Sequence, residues 1–409
     1  MSKVSIRNTG PIVEATLDLN KVNVFMGPQS SGKSTIAKII SYCTWIEKEI
    51  ATNQSFKKYR TNKKLFKKQL ETFHKIEGYF NEGSVIDYES EVIKLHCTAQ
   101  DFTIDWIDKH AYKRSKISYI PAERNMVILP EMVKVTLPNT NVRSFLSDWF
   151  DACKCYSEEK NLPLLDLGFR YYYSEKTREN HIKYEENGKS YDILLSNASS
   201  GLQSVIPMIV MIEYLTLWIY THKENMSIEQ LQLQIKVYTQ LIDEVNENRR
   251  KMEASEIKAE KELELFNKIN NIKTKRFTTH NSQFIIEEPE LNLFPETQRD
   301  LVYYLLEKCN DKAREHRMTI TTHSPYILYA LNNCMMAGLV YDKMREKDKE
   351  RLKCKSALID PKKVSIYQID EGRINCIQQD DGLIGNNYFD ENVKELMDDF
   401  YLMLNYYGK

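Results

Sequence analysis

The sequence has no long apolar run and almost no net charge, and each absence excludes a class of protein. Among 409 residues, 57 Lys and Arg balance 58 Asp and Glu, so the whole chain lacks a field that would attract nucleic acid or an anionic membrane. The most apolar segment, residues 205–220, contains Glu213 and is shorter than the roughly 20 residues that span a bilayer. It predicts a buried helix, and we expect no membrane contact.

The eight cysteines include no CxxC pair, the commonest sign of a zinc or redox site. Cys153 and Cys155 form a CxC pair, but no second ligand pair follows, so reduced thiols are favoured over a zinc site. No signal peptide is predicted, because the N-terminus leads directly into the strand-like run Val4–Arg7. Reduced thiols without a signal peptide predict a cytoplasmic protein.

The pattern of apolar residues predicts an α/β fold. Three short strands fill the first 26 residues, and the third leads through a glycine-containing loop into an apolar-periodic helix. A charged helical arm is expected to about residue 80, and residues 168–195 predict a β-hairpin with its turn at Asn187-Gly188. We expect an N-terminal lobe over 1–204, a helical insert over 205–275 and a C-terminal lobe over 276–409.

The insert is predicted from another absence, because neither glycine nor proline occurs between Pro207 and Pro289. Long helices that end in one strand are typical of such a segment. Apolar residues also recur within it at alternating spacings of three and four: Ile228, Leu231, Ile235, Tyr238, Ile242 and Val245. This heptad pattern predicts a coiled-coil-like helical hairpin or a partner helix.

Residues 27–34 match the pattern G-x-x-x-x-G-K-[ST], between a predicted strand and a predicted helix. Glycines let the backbone wrap around a phosphate, and N–H groups at the start of a helix bind an anion. We expect Lys33 to neutralise β- and γ-phosphates and the Ser34 hydroxyl to bind Mg²⁺. The predicted nucleotide-binding residues are Gly27, Pro28, Gln29, Ser30, Ser31, Gly32, Lys33, Ser34 and Thr35.

Two further segments carry groups that hydrolysis would need. The apolar run at 284–286 ends in Glu287 and Glu288, and the carboxyl ends of buried parallel strands are where ligands bind. We expect Glu287 to bind Mg²⁺ and Glu288 to orient or deprotonate the attacking water. His323 follows another predicted strand and is expected to donate to the γ-phosphate. The alternative for the two glutamates is a surface cap on a strand.

A fourth segment, residues 197–203, precedes an apolar helix and reads Asn-Ala-Ser-Ser-Gly-Leu-Gln. Serines and glycine at a helix N-terminus form a second surface that could bind an anion, although an ordinary helix cap is the favoured interpretation of this segment by itself. The candidate residues are Ser199, Ser200, Gly201 and Gln203.

Taken together, these segments resemble an ATP-binding-cassette ATPase of the SMC-like kind over nearly the whole chain. The loop at 27–35 resembles Walker A, Glu287-Glu288 resembles Walker B with its catalytic glutamate, and residues 322–325 resemble the switch-histidine loop. Residues 200–203 resemble the signature SGGQ, with Leu202 in place of the second glycine. The resemblance implies ATP and Mg²⁺ as ligands.

It also implies a fold and an assembly. The implied fold is an ABC/SMC-type P-loop NTPase head with an N-terminal antiparallel β-subdomain and an inserted helical hairpin. The implied assembly is a head-to-tail homodimer, or a higher homo-oligomer, in which the signature residues contact ATP in the opposite subunit.

Two segments further resemble the ATPases of bacterial antiphage operons: EEPELNLFP and SYIPAERN. These ATPases include those of Septu, PARIS and retron systems and of the overcoming-lysogenisation-defect nucleases. Phe294 stands where that group usually has histidine, and the segment around Glu123 and Arg124 lacks the usual glutamine. The resemblance implies an ATP-hydrolysing switch. No acidic cluster suited to a nuclease follows His323, so we expect a separate effector, a nuclease or toxin.

Two alternatives remain for the function: a non-hydrolysing, ATP-dependent scaffold that restrains a partner, and a DNA-repair, SMC-like or transport ATPase. A nucleic-acid contact is also conceivable at residues 57–68, which hold seven Lys and Arg with Tyr59 and Phe66 between them. A solvated helix face is the favoured interpretation of that segment.

Overall fold

The computed structural model describes residues 2–129, 137–186, 188–221 and 275–407, and isolated positions at 132, 135, 232, 235, 239, 242 and 243. Most of the predicted insert and of its heptad pattern therefore lies outside the described residues. So does Asn187 in the predicted hairpin turn. The division into two lobes and an insert stays a prediction.

The described chain contains an eleven-stranded mixed sheet and a separate four-stranded antiparallel sheet. The strands are β1 (Ser2–Thr9), β2 (Ile12–Leu19), β3 (Val22–Met26), β4 (Phe80–Glu89), β5 (Ile93–Thr98), β6 (Phe102–Trp106), β7 (Ser115–Ile120), β8 (Leu162–Pro163), β9 (Phe169–Ser174), β10 (Glu179–Glu186), β11 (Lys189–Leu194), β12 (Asn281–Glu287), β13 (Arg317–Thr322), β14 (Val364–Asp370) and β15 (Arg373–Cys376).

The large sheet runs in the order β6-β5-β4-β1-β2-β15-β14-β3-β13-β12-β7. Its five strands from β14 to β7 are parallel, whereas β6, β5, β4, β1 and β2 form an antiparallel group. The predicted α/β fold with an N-terminal antiparallel β-subdomain is therefore confirmed. Burial explains the difference, because every residue of β3 is buried while β1 alternates between buried and exposed positions, as a one-sided strand does.

Helices cover the sheet and connect its strands. They are α1 (Lys33–Asn53), α2 (Lys57–Thr61), α3 (Leu65–His74), α4 (Asn141–Cys153), α5 (Ser200–Glu213), α6 (Ile219–Thr221), α7 (Pro295–Cys309), α8 (Pro325–Val340), α9 (Glu346–Arg351) and α10 (Tyr388–Leu404). The charged helical arm expected to about residue 80 is present as the two short helices α2 and α3, which end at His74, and the antiparallel strand β4 begins at Phe80. Strand β4 pairs with β1 in the antiparallel group.

Helix α5 is the centre of the main hydrophobic core, and the prediction of a buried helix is confirmed. All residues from Val205 to Ile212 are buried, and all of them except Pro207 are 0% exposed. Residues 200–221 are long and apolar enough to cross a membrane, but 72% of their most apolar window is buried within the protein. The helix is thus covered by the rest of the chain.

Candidate functional site

The loop between β3 and α1 has a backbone that only glycine permits at two positions. Gly27 has φ 146° and Gly32 has φ 107°. A Cβ atom at Gly27 would lie 2.3 Å from the carbonyl oxygen of Ile369 on β14, and one at Gly32 would lie 2.4 Å from Cδ1 of Ile12. The tight loop is therefore held between the parallel strands and the antiparallel subdomain.

Lys33, the first residue of α1, folds its side chain back over this loop. It is only 4% exposed, and its Nζ donates to the carbonyl oxygens of Gly27 at 3.0 Å and Pro28 at 2.6 Å. Burial lowers the pKa of Lys33 to about 8, and the carboxylates of Glu288 and Glu290 oppose that shift. The ammonium is thus fixed where the loop would hold an anion.

A cavity of about 500 Å³ opens beside the loop. It brings together residues that lie far apart in the sequence, and the predicted ones among them are Gln29, Ser30, Gly32, Lys33, Ser34, Thr35, Glu288 and His323. Sequence analysis missed three further lining residues, Gly10, Pro11 and Tyr79. These three residues come together because the backbone N–H of Gly10 donates to the carbonyl of Tyr79 at 2.8 Å. No local motif marks them.

Glu288 and His323 form a pair at the ends of the adjacent strands β12 and β13. The His323 Nε2 lies 3.4 Å from Glu288 Oε1. A hydrogen bond from His323 holds the pKa of Glu288 below its usual range, against the opposing effect of burial. Glu288 also has a φ of 43°, a left-handed conformation that turns the chain out of the strand. The pair can therefore place an ionised carboxylate in the cavity.

Glu287 is the last residue of β12 and is 5% exposed. Its Oε2 accepts a hydrogen bond from the backbone N–H of Ala122 at 3.4 Å, whereas Oε1 accepts none among the described residues. The carboxylate also lies near the buried Tyr119 hydroxyl, whose pKa is raised by burial and by Glu287. A buried carboxylate oxygen without a donor is costly unless a cation binds it. This donor set fits a Mg²⁺ site that Glu287 would share with the Ser34 hydroxyl, although Glu287 does not line the cavity itself.

The predicted signature residues cap α5 but do not line the cavity of the same chain. Ser199 is the N-cap, and its hydroxyl accepts from the backbone N–H of Leu202 at 3.5 Å. Gln203 turns back, its Nε2 donating to the carbonyls of Ser196 at 2.8 Å and Ala198 at 3.1 Å. Ser199 and Ser200 are exposed, so the start of the helix faces outward.

Glu290, which sequence analysis did not assign to the site, holds the loop that carries His323. Its Oε1 accepts from the backbone N–H of His323 at 2.6 Å and from the Thr322 hydroxyl at 2.9 Å. Burial raises the pKa of Glu290. In the sequence, the only sign of this role was that Glu290 is the third glutamate of the EEPE segment. Its contacts with Thr322 and His323 are visible only in the fold.

Arg124 is 0% exposed and hydrogen-bonds to the backbone of Glu288, which belongs to the Glu288–His323 pair, and of the residue before it. Its guanidinium donates to the carbonyl oxygens of Glu287 at 2.8 Å and Glu288 at 2.9 Å. It also donates to the carbonyl oxygen of Ser204 at 3.0 Å and to the Ser204 hydroxyl at 3.1 Å. The sequence drew attention to this residue only through the PAER resemblance.

The basic stretch at 57–68 does not present the features of a base-stacking surface. Tyr59 and Phe66 are buried, so neither ring is available to a nucleic-acid base. Three of its cations form ion pairs: Lys58 with Glu49 at 2.8 Å, Arg60 with Asp105 at 3.4 Å and Lys63 with Asp101 at 2.7 Å. A solvated and partly neutralised helix face fits these contacts.

The CxC pair, Cys153 and Cys155, lies near the end of α4. Cys153 is buried at the end of α4, and Cys155 is partly exposed. Within the described ranges, no three His, Cys, Asp or Glu residues are grouped as a metal site would require. All eight cysteines are free thiols.

No protein-family model matches the chain, and no curated protein does. Among solved structures, the chain is similar to the SMC head domain from Thermotoga maritima, with 9% identity, a TM-score of 0.39 and coverage of 92% of this chain and 97% of that one. It is also similar to a dimeric bacterial ABC transporter cassette, with 10% identity, a TM-score of 0.30 and coverage of 91% and 96%.

A third similar structure is the recombination mediator RecF, with 11% identity, a TM-score of 0.31 and coverage of 92% of this chain and 97% of that one. At such identities and TM-scores, these likenesses do not assign a function. The function has to be inferred from the residues of the site.

Proposed function

We propose that this chain binds ATP with Mg²⁺ at the Lys33 cavity and hydrolyses it. The observation that carries the proposal is the composition of one cavity. A buried ammonium hydrogen-bonded over a glycine-containing loop lies in the same cavity as a carboxylate paired with an imidazole. The first arrangement suits a polyphosphate, and the second suits a water molecule that attacks it.

The residues of the loop would bind and orient the phosphates. Lys33 would exchange its contacts with the carbonyls of Gly27 and Pro28 for phosphate oxygens, which are stronger acceptors because they are charged. The Ser34 hydroxyl and the unpartnered Glu287 Oε1 would hold Mg²⁺. When bound, Mg²⁺ would neutralise charge that develops on the phosphate oxygens.

Glu288 would act on the water. Its lowered pKa keeps the carboxylate ionised at neutral pH, so Oε1 or Oε2 can accept a hydrogen bond from water and take up its proton as the oxygen attacks. His323 would donate to the transferred phosphate and return to Glu288 afterwards. Glu290 keeps this histidine in place through its backbone N–H.

We further propose a head-to-tail homodimer, or a higher homo-oligomer, with two shared ATP sites. The signature residues support it, because Ser199 and Ser200 are exposed at the start of α5 and lie outside their own chain's cavity. A helix N-terminus is suited to an anion, and the γ-phosphate of a second subunit would provide one.

The proposed biological role is that of a cytoplasmic switch in an antiphage defence system, which controls a separate nuclease or toxin. The resemblance of the EEPE and PAER segments to the ATPases of bacterial antiphage operons supports this role. In the part of the chain that the structure describes, no acidic metal cluster offers a nuclease centre, which fits a separate effector. The Glu288–His323 pair favours hydrolysis over a non-hydrolysing scaffold.

The direct test is ATP turnover by the purified chain, measured as phosphate release with and without Mg²⁺. We expect Mg²⁺-dependent hydrolysis that is lost in Glu288→Gln. Tight ATP binding without turnover in the wild-type chain would favour the scaffold instead. Purification together with the products of neighbouring genes, and identification of what co-elutes in the presence of ATP, tests the effector.

A further inference from the structure

Arg124 connects two segments that carry different parts of the proposed site. Its Nε and one terminal nitrogen donate to Ser204, in the second turn of α5. The terminal nitrogens also donate to the carbonyl oxygens of Glu287 and Glu288, at the end of β12. A planar guanidinium can satisfy these acceptors at once because its donors point in fixed directions.

The acceptors at β12 are backbone atoms that determine where the catalytic carboxylate points. Glu288 leaves the strand with a φ of 43°, a conformation that costs free energy for a residue with a side chain and has to be held by its surroundings. The hydrogen bond from Arg124 to the Glu288 carbonyl holds the backbone at that residue. Movement of the guanidinium would therefore re-aim the carboxylate.

The acceptors at α5 lie close to the predicted signature. Ser204 follows Gln203 directly, and the first turn of the helix begins at Ser200. A second contact joins the same two segments, since a Cβ atom at Gly201 would lie 2.9 Å from the carbonyl oxygen of Asn292. The start of α5 and the loop that follows β12 are thus packed as one unit, with Arg124 buried between them.

We propose that Arg124 is a positioning residue that couples ligand binding at the N-terminus of α5 to the orientation of the Glu288 carboxylate. The inference rests on the proposed function, which supplies an ATP phosphate from the second subunit at that helix. In such a dimer, α5 contacts the partner's nucleotide while Glu288 serves its own cavity. Arg124 would then make hydrolysis at the two sites cooperative.

The test uses two variants that weaken this link to different degrees. Arg124→Lys keeps a cation but cannot reach all four acceptors together. Ser204→Ala removes one acceptor and leaves the helix backbone intact. Ser118→Ala is the matched control, because Ser118 is also buried and its hydroxyl has no partner among the described residues.

For each protein, nucleotide affinity is measured with Glu288→Gln in the background, and kcat, KM and the Hill coefficient are measured without it. We expect wild-type hydrolysis to be cooperative in ATP. We expect Arg124→Lys to lower kcat by about 10- to 100-fold, as loss of charged hydrogen bonds does, with affinity within about twofold. The Hill coefficient should fall towards one in both variants and stay unchanged in Ser118→Ala.

A purely structural role for Arg124 would lower the melting temperature and reduce affinity and kcat together while the Hill coefficient stayed at its wild-type value. That result would overturn the inference. A wild-type Hill coefficient of one would also overturn it. Should Arg124→Lys fail to fold, Ser204→Ala decides, since unchanged cooperativity in that variant rejects the link. Absence of hydrolysis in the wild-type chain would instead reject the proposed function.

Discussion

The Nε2 atom of His323 lies 3.4 Å from the Oε1 atom of Glu288, and the two residues directly follow the neighbouring strands β12 and β13. Their pairing joins two loops that are separated in the sequence by the whole of helix α7. It also keeps the pKa of the carboxyl low. This contact is the part of the site that would act on water, and the first prediction concerns it.

Replacing Glu288 with Gln removes the proton acceptor and preserves the size of the side chain. We expect phosphate release to fall by about 10²- to 10⁴-fold, the usual contribution of a general base. ATP binding should persist, and the closed dimer should accumulate in a light-scattering measurement. Glu346→Gln, an exposed residue on α9, is the control. Normal turnover by Glu288→Gln would show that the base lies elsewhere.

Replacing Lys33 with Ala removes the buried ammonium from the loop. We expect ATP affinity to fall by at least about 10- to 100-fold, because a charged hydrogen-bond donor to the phosphates is lost. Titration with a fluorescent ATP analogue measures it. Lys38→Ala, on the same helix, should bind as the wild type does. Equal affinities for the Lys33 variant and the wild type would reject the site.

Replacing Glu287 with Gln tests the proposed Mg²⁺ ligand. The amide keeps the shape of the side chain but lacks the charge that a hard divalent cation prefers. We expect the Mg²⁺ concentration for half-maximal hydrolysis to rise, whereas ATP binding without Mg²⁺ should stay the same. An unchanged Mg²⁺ requirement would assign Glu287 a structural role only.

Tyr79 contributes an aromatic ring to the lining of the cavity beside the loop at residues 27–34. Loss of an aromatic contact costs about 0.5–1.5 kcal/mol, so we expect Tyr79→Ala to weaken ATP binding by about 2- to 10-fold. Tyr79→Phe retains the ring and should bind like the wild type. If both variants bind ATP with wild-type affinity, the bound nucleotide does not touch this ring.

The heptad residues Ile235 and Ile242 are 64% and 47% exposed in the described chain. We predict that their stripe becomes buried against a second subunit or the effector. Replacing both with Asp would then place charges in an apolar seam, at a cost of several kcal/mol. Assembly should fail, as measured by light scattering and co-purification, while ATP affinity stays normal.

Gln232→Asp, at an exposed position of the same segment, should assemble normally and controls for the added charge. Equal loss of assembly and ATP binding in the double Asp variant would make the insert part of the nucleotide-binding core. Unchanged assembly would show that this stripe does not form the interface.

The sequence by itself determined those features that depend on neighbouring residues. The loop at residues 27–34 is contiguous, so its glycines and Lys33 were visible as a pattern, and the structure shows that a Cβ atom at Gly27 or Gly32 would clash with its neighbours. Buried strands and α5 were visible in the same way, through apolar runs and their periodicity. The pairing of β4 was not visible, because its partner β1 lies more than 70 residues away in the sequence, as the Thr9–Phe80 pair shows.

Only the tertiary structure decided which distant groups meet. Arg124 bonds to Ser204 and to the Glu287 and Glu288 carbonyls, and Glu290 bonds to the His323 loop. The strand order places β13 between β3 and β12, and this order brings Glu288 and His323 to the loop at residues 27–34. Periodicity reports which face of an element is buried, but it carries no information on which elements lie side by side. That choice is made by long-range packing.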